Sequence, residues 1–488
     1  VCLGSRREYF RKSLGWDFGI ANYRYREFTH QISVADFERL DAIVASYVKH
    51  GDFYEHYLVK CEAANNLLDK VSRQIALNGK GALNKTAAAD AFDEFAIATK
   101  NAIPFLASII FVQNRLEGAL QKMVGECLGS DAKADQVKAF IAKNVVPPQA
   151  ANVALEARGA LKLAAMLESS GVTANDLSGP APEVMSVLET RCPGFHEALN
   201  SHIGEHGWLR TFTYMNDPFS VEEMLARVTT LLMKQSPKAR LAQTEQRELE
   251  ERETLERTVA QVKNDDLKAL IRLGAAYSYA RFNRIDLHFR CETKIRDLEK
   301  QIANMMQITR DELVFCTYPE ISRWLHGDVA TVPSKSELEA RRTQGFDAEL
   351  RNGEFLFSTA ENHAINTSDH PVEEIDWPLI GTAGCVGRAR GTARLVLSAA
   401  DMQSLRLGDI LVTTMTTPDL MLAIEKASAI VTDEGGMTCH AAIISRELQI
   451  PCVIGTEMAT MCIKDGMTIE VDARHGNGFV NLIKRASS

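Results

Sequence analysis

Ala429-Ile430-Val431-Thr432-Asp433-Glu434-Gly435-Gly436-Met437-Thr438-Cys439-His440-Ala441-Ala442-Ile443-Ile444-Ser445-Arg446-Glu447-Leu448, then Ile450-Pro451-Cys452-Val453-Ile454-Gly455, is the stretch that decides how the end of this chain folds. The apolar run Ala429–Thr432 reads as a strand. Gly435-Gly436 permits a tight turn at positive φ. Small and apolar residues then begin a helix at about Thr438, with His440 in its first turn. Ile450–Gly455 reads as the next strand. Strand, glycine turn, helix, strand is one β/α unit.

That unit puts His440 where an anion is favoured. The first N–H groups of a helix lack intrahelical partners, and the helix dipole is positive there. A neutral imidazole is also a good nucleophile near neutral pH. The local physics therefore fits a histidine that accepts and holds a phosphoryl group. The residues alone leave a second reading open, a capping or core histidine with a satisfied ring. Cys439 beside it could be read as a thiol nucleophile, but adjacent helical residues point in different directions.

Composition bounds the rest. A chain of 488 residues, 45% hydrophobic and 24% charged, can bury a large core in two or more domains. A formal net charge of -9 argues against nucleic-acid or anionic-membrane partners. No apolar run is long enough to span a bilayer, and the start lacks a signal-peptide core. The 10 cysteines are scattered without a C-x-x-C pair, which fits reduced thiols in a cytoplasmic protein. The first residue is Val1, as in a processed chain or a fragment of a longer product.

Two unequal parts are expected: a large, mostly α-helical region over 1–375 and a C-terminal β/α domain over 376–488, a multidomain α plus α/β fold. Helical spacing runs from about Val34 to Met306, as in Val59, Ala63, Leu67, Val71 and Ile75. Breaks fall at Pro147-Pro148, at Ser178–Pro182 and at Pro193-Gly194. A very polar helix is expected from Lys238 to Lys263, its charges forming a solvated face. The glycines of Gly381–Val396 suit turns between strands better than a dinucleotide loop, since no helix follows. The aromatic-rich start, with Tyr9, Phe10, Trp16 and Phe18 among others, reads as core or interface.

Other motifs carry less. His202-Ile203-Gly204-Glu205-His206 matches H-x-x-E-H, with both histidines on one helix face. No third ligand is identifiable, and Gly204 weakens the helix. A packed or substrate-facing pair is the better reading, and no metal site is expected. No G-x-x-x-x-G-K-[ST] phosphate loop occurs.

Thr432 to Leu448 with Ile450–Gly455 closely resembles the phosphohistidine swivelling domain of the phosphoenolpyruvate (PEP)-utilizing enzymes, which include PEP synthase and pyruvate phosphate dikinase. The resemblance extends to Leu411–Asp419 upstream and to Lys464-Asp465-Gly466 and Gly476–Val480 downstream, about the last fifth of the chain. It implies that His440 carries the phosphoryl group and that Gly435, Gly436, Thr438 and Cys439 lie near the phosphate. Thr438 matches a threonine that is regulatory in some relatives. A weaker similarity covers Tyr277–Leu325, where Leu313–Ile321 looks like a strand-and-helix lead-in to the swivelling module. Glu205-His206-Gly207-Trp208-Leu209 is similar to a motif in helical regions of some relatives.

Relatives pair this domain with an ATP-grasp module, and dikinases add a C-terminal TIM barrel. Neither is expected within these 488 residues. The order of helical region then swivelling domain is similar to rifampin phosphotransferase and to the histidine-bearing subunit of phenylphosphate synthase. By that resemblance, ATP with Mg2+ binds mainly in an ATP-grasp domain or subunit. The histidine domain swings about a linker near Asn362–Pro378, and the helical region holds a small-molecule acceptor. Two alternatives stay open: an ATP-driven condensing enzyme using the same phosphohistidine, and a non-catalytic phosphocarrier or regulatory binding protein.

Overall fold

The computed structural model describes residues 54–129, 150–213, 217–328, 332–344 and 377–484, apart from short gaps at 80, 108, 398, 418–419, 437–438 and 475. It also describes 22–24, 29–31, 346–351, 354–359 and scattered residues at 42 and between 133 and 145. The aromatic-rich start, Pro147-Pro148, Thr438 and nearly all of the expected linker at Asn362–Pro378 lie outside the described residues. The chain divides into two compact units, each discontinuous: residues 1–119 with 280–369, and residues 120–279 with 370–488. The described part is mostly helical, with a C-terminal β region.

In the first unit, helices Lys60–Asn78 and Lys85–Ala107 pack with the C-terminal half of helix Asp265–Lys294 and with helix Arg296–Met306. Leu68, Val71, Phe92, Phe95, Leu287, Cys291 and Ile302 form one buried core. Asp69 ties the helices at their rim, bonded to Lys294 at 2.7 Å and to Arg73 at 2.6 Å. Residues Leu313–Cys316 do not form the expected strand. They close a short helix, Arg310–Leu313, and Thr317 then caps helix Tyr318–Leu325. The reason is local: Thr309 with Glu312, and Thr317 with Glu320, each make a capping box, which outweighs the β preference of Val314 and Phe315.

A four-stranded antiparallel sheet also belongs to this unit, joining Thr29–Gln31, Asn22–Arg24, Phe346–Arg351 and Glu354–Thr359 in that order. Helical periodicity gives no hint of it. The signal present is Asn352-Gly353 between two alternating runs, the sequence of a hairpin turn.

The second unit joins helices to a barrel. Its helices are Asn152–Ser169, Ala181–Arg191, Phe195–His206, Val221–Leu232 and Pro237–Gln261. The last is the expected polar helix, started by the Ser236 hydroxyl on the N–H of Ala239. The barrel is closed and mixed. Around it run Thr468–Ala473, Gly478–Lys484, Leu379–Cys385, Cys452–Ile454, Ala429–Thr432, Ile410–Thr413 and Gly387–Leu395.

Ile410–Thr413, Ala429–Thr432 and Cys452–Ile454 pair in parallel and are buried throughout, as strands covered on both faces must be. Thr468–Ala473 alternates, with Ile469, Val471 and Ala473 buried. One apolar cluster fills the barrel, including Val412, Val431, Val453 and Val480. A second lies outside it and mixes barrel helices with helix Asn152–Ser169, bringing Val153 and Ala157 together with Ala441, Ala442 and Ile424.

Candidate functional site

Three parallel strands end side by side, and the loops after them converge. Such carboxyl ends are where α/β sheets present their chemistry. After Thr413 comes Thr416, after Thr432 comes the glycine turn, and after Ile454 come Thr456 and Glu457. The loops are laced to one another by backbone bonds. Glu434 N–H donates to Thr414 O at 2.9 Å, Thr456 N–H to Thr432 O at 3.1 Å, and Glu457 N–H to Asp433 O at 2.9 Å. Asp433 accepts from the Thr460 N–H at 2.9 Å and from the Thr460 hydroxyl. This acidic residue therefore builds the loop.

Helix His440–Leu448 starts two residues later than the expected Thr438, and His440 is its first residue. Cys439 is the N-cap, its Sγ accepting from the Ala442 N–H at 3.4 Å. That role binds the thiol to the helix start rather than offering it as a nucleophile. Gly435 lies at φ 129°, and a Cβ there would stand 2.8 Å from Cys439 Sγ. The turn thus needs glycine both for its φ and for its closeness to the cap.

His440 Nδ1 is 2.8 Å from the hydroxyl of Thr416, itself a buried residue. Nε2 is buried and has no hydrogen-bond partner among the described residues. Burial of the ring holds its pKa down at about 4, so the imidazole is neutral at pH 7. The Thr416 hydroxyl can accept from Nδ1–H or donate to a bare Nδ1; in the first tautomer Nε2 presents its lone pair. The two ring nitrogens therefore differ: Nδ1 contacts Thr416, and Nε2 has no partner among the described residues. Gly435, Gly436 and Cys439 surround this helix start as the sequence expects, while Thr438 is not described.

The H-x-x-E-H histidines lie elsewhere in the second unit. His202 Nε2 is 3.1 Å from Glu156 Oε1, and the His202 and His206 rings are 5.0 Å apart. Glu205 is mostly exposed. Among the described residues, no group of three or more His, Cys, Asp or Glu has metal-holding geometry.

A buried ionic cluster was not anticipated from sequence. Arg227 is wholly buried and bonds Glu156 on one side. On the other it holds Glu425 with Nε at 2.9 Å and Nη2 at 2.7 Å. Burial pushes Glu156 up, but Arg227 and His202 outweigh it and hold it at about 2. Lys234 donates to the backbone carbonyl of Glu425. Glu425 sits on the barrel helix Met421–Lys426, whereas Glu156, His202 and Arg227 sit on three helices of the 120–279 segment. Charges among apolar neighbours are the available signal, as with Arg227 between Met224, Leu225, Val228 and Leu231.

Known proteins are similar to this C-terminal segment. The family model described as "PEP-utilising enzyme, mobile domain" matches residues 405–476. A probable phosphoenolpyruvate synthase of Archaeoglobus fulgidus is 53% identical over 107 residues, covering 22% of this chain and 14% of that protein. The phosphoenolpyruvate synthase of Pyrococcus furiosus is 43% identical over 127 residues, covering 26% and 16%. That of Neisseria meningitidis is 47% identical over 106 residues, covering 20% and 13%. The chain thus spans less than one fifth of the length of the relatives it matches. No helix among the described residues is long and apolar enough to cross a membrane. The C-terminal segment is thus similar to the mobile domain of PEP-utilising enzymes.

Proposed function

We propose that this chain is the phosphohistidine-carrying part of a dikinase-type phosphotransferase, with His440 Nε2 as the carrier atom. The observation that supports the reading is the difference between the ring nitrogens: Nδ1 contacts Thr416, and Nε2, at a helix start, has no partner among the described residues. An ATP-grasp module, fused or separate, presents ATP with Mg2+, whose charge offsets that of the phosphates there. The Nε2 lone pair attacks phosphorus, and the bond from phosphorus to its bridging oxygen breaks, that oxygen leaving with the nucleotide. In the second step an acceptor oxygen attacks, the N–P bond breaks, and Nε2 regains its lone pair. Splitting one transfer into two is covalent catalysis.

The helical region holds the acceptor in this reading, the mobile domain extends over about 376–488, and the protein works in the cytoplasm. Gly435, Gly436, Thr438 and Cys439 border the phosphate. Because Nε2 is buried, the 440–448 helix start must open before it can react.

The test is direct. Incubated with ATP, magnesium and the nucleotide module, the protein should gain one acid-labile phosphate, located by intact mass and peptide mapping. His440→Ala should gain none. Undiminished labelling of that variant would overturn the assignment.

A further inference from the structure

Arg284 lies on the part of helix Asp265–Lys294 that belongs to the first unit, and it is only 2% exposed. Its Nε, Nη1 and Nη2 are all buried, and none has a hydrogen-bond partner among the described residues. A guanidinium stays charged in proteins, so burial without a partner is strongly unfavourable. An orphaned buried polar group needs an explanation, and an ion bound from outside the chain is one.

The surroundings form a polar layer. Arg284 is one turn from Leu287, which packs in the core with Leu68 and Phe95. Helices Lys60–Asn78 and Lys85–Ala107 meet in that core. The π-helical turn Tyr54–Val59 just before the first of them meets the second again, where the Tyr57 ring contacts Phe105 and its hydroxyl donates to the Phe105 carbonyl at 3.1 Å. Between these contacts lie Cys61, Asn65 and Thr99, all buried. Arg284 is close enough to Cys61 for its charge to act on the thiol. Asn65 is engaged with Cys61 Sγ at 3.7 Å, whereas Thr99 Oγ1 is buried with no partner among the described residues.

Among the described residues, none of the neighbouring acidic groups bonds the arginine. His288, one turn on, is held neutral by burial, its pKa pushed down to about 3. Glu292, one turn further, accepts from the Tyr318 hydroxyl at 3.1 Å, and burial and nearby Glu299 push its pKa up. Asp69 is taken by Lys294, Arg73 and Arg290. Asp286 is two residues along the helix, a spacing at which side chains do not face each other.

We propose that this layer is an oxyanion site, in which Arg284 grips a carboxylate or phosphate group of a small molecule and Thr99 supplies a second donor. A planar fork of N–H groups matches such oxyanions with two parallel bonds. The proposal rests on the reading above only for the ligand's use: there it is the acceptor, held by its anionic group. Binding itself does not require His440.

The experiment titrates the purified chain with sodium phosphate, acetate or pyruvate at constant ionic strength, with chloride as reference. Thermal midpoint and calorimetric heat are the readouts. Wild type and His440→Ala should both rise by about 2 °C or more with at least one oxyanion. The responding anion separates phosphate from carboxylate recognition. Arg284→Met should lose the response and should have a higher midpoint than wild type in chloride, because an unpaired buried charge is gone. Arg284→Lys should bind about tenfold more weakly, having lost the fork.

An equal response in Arg284→Met, or none in wild type, overturns the site. If Arg284→Met fails to fold, equal affinities of wild type and Arg284→Lys overturn it. Failure of the His440 reading shows separately, as absent phosphate labelling with oxyanion binding intact.

Discussion

Arg227 and Glu425 meet in a two-point ion pair that is closed to solvent on both sides, 2.9 Å at Nε and 2.7 Å at Nη2. It joins helix Val221–Leu232 to the barrel helix Met421–Lys426. Removing one member leaves a buried charge uncompensated, whereas replacing the whole set with apolar groups can be neutral. Glu425→Ala should therefore lose about 3–5 kcal/mol of stability in urea denaturation. Combining Glu156→Met, Arg227→Met and Glu425→Met should lose less than Glu425→Ala alone. A triple variant as unstable as the sum of its parts would refute this account.

Gly159 shows how tightly that cluster is built. A Cβ added there would stand 2.5 Å from His202 Nδ1. Gly159→Ala must push the imidazole away and break its 3.1 Å contact with Glu156. Overpacking of this kind costs about 1–3 kcal/mol. Adding His202→Ala to Gly159→Ala should recover part of the loss, since the clashing ring is gone. A double variant no better than Gly159→Ala would place the strain elsewhere.

Acid should act on His440 and Glu156 in separate windows. His440 is held at about 4, below its ordinary 6.5. The unfolded chain therefore binds more protons between these values, and stability falls as pH drops from about 6.5 to 4. The upper limit of this effect is about 3 kcal/mol. His440→Gln should flatten the slope in that window alone. Glu156 is held at about 2, below its ordinary 4.5, so its contribution is complete above about 4.5 and is lost toward pH 2. Urea denaturation at a series of pH values would separate them. An unchanged slope for His440→Gln between pH 6.5 and 4 would contradict a buried, neutral imidazole.

Legibility from sequence followed the range of the interactions. The strand, turn and helix around His440 were readable because each is set by neighbours: β-branched residues at 429–432, paired glycines, then small helix formers. The polar helix at 237–261 was readable for the same reason. Leu313–Cys316 misled because its β preference is local but the two flanking capping boxes are stronger. The Glu156–Arg227–Glu425 cluster was not readable, since 71 and 198 residues separate its members. Its pieces look like ordinary helix charges until folding buries them together. Thr416 was visible within the resembling segment, but no spacing rule tied it to a histidine 24 residues later.

That bond supplies the last prediction. Thr416 Oγ1 lies 2.8 Å from His440 Nδ1, and this contact orients the ring; the proposed chemistry needs the tautomer with the proton on Nδ1. Thr416→Val keeps the shape and removes the hydroxyl. Nδ1 then loses its anchor, and Nε2 is no longer held as the unprotonated nitrogen. Losing a buried hydrogen bond of about 1–3 kcal/mol corresponds to roughly a 5- to 150-fold slower phosphoryl capture. Thr416→Ser keeps the hydroxyl and should remain near wild type. Rapid-quench labelling gives the rate, and nitrogen NMR of the His440 ring gives the tautomer. A rate defect in Thr416→Val without a tautomer change would point to packing alone. Wild-type rate and tautomer together would show that Thr416 does not position His440.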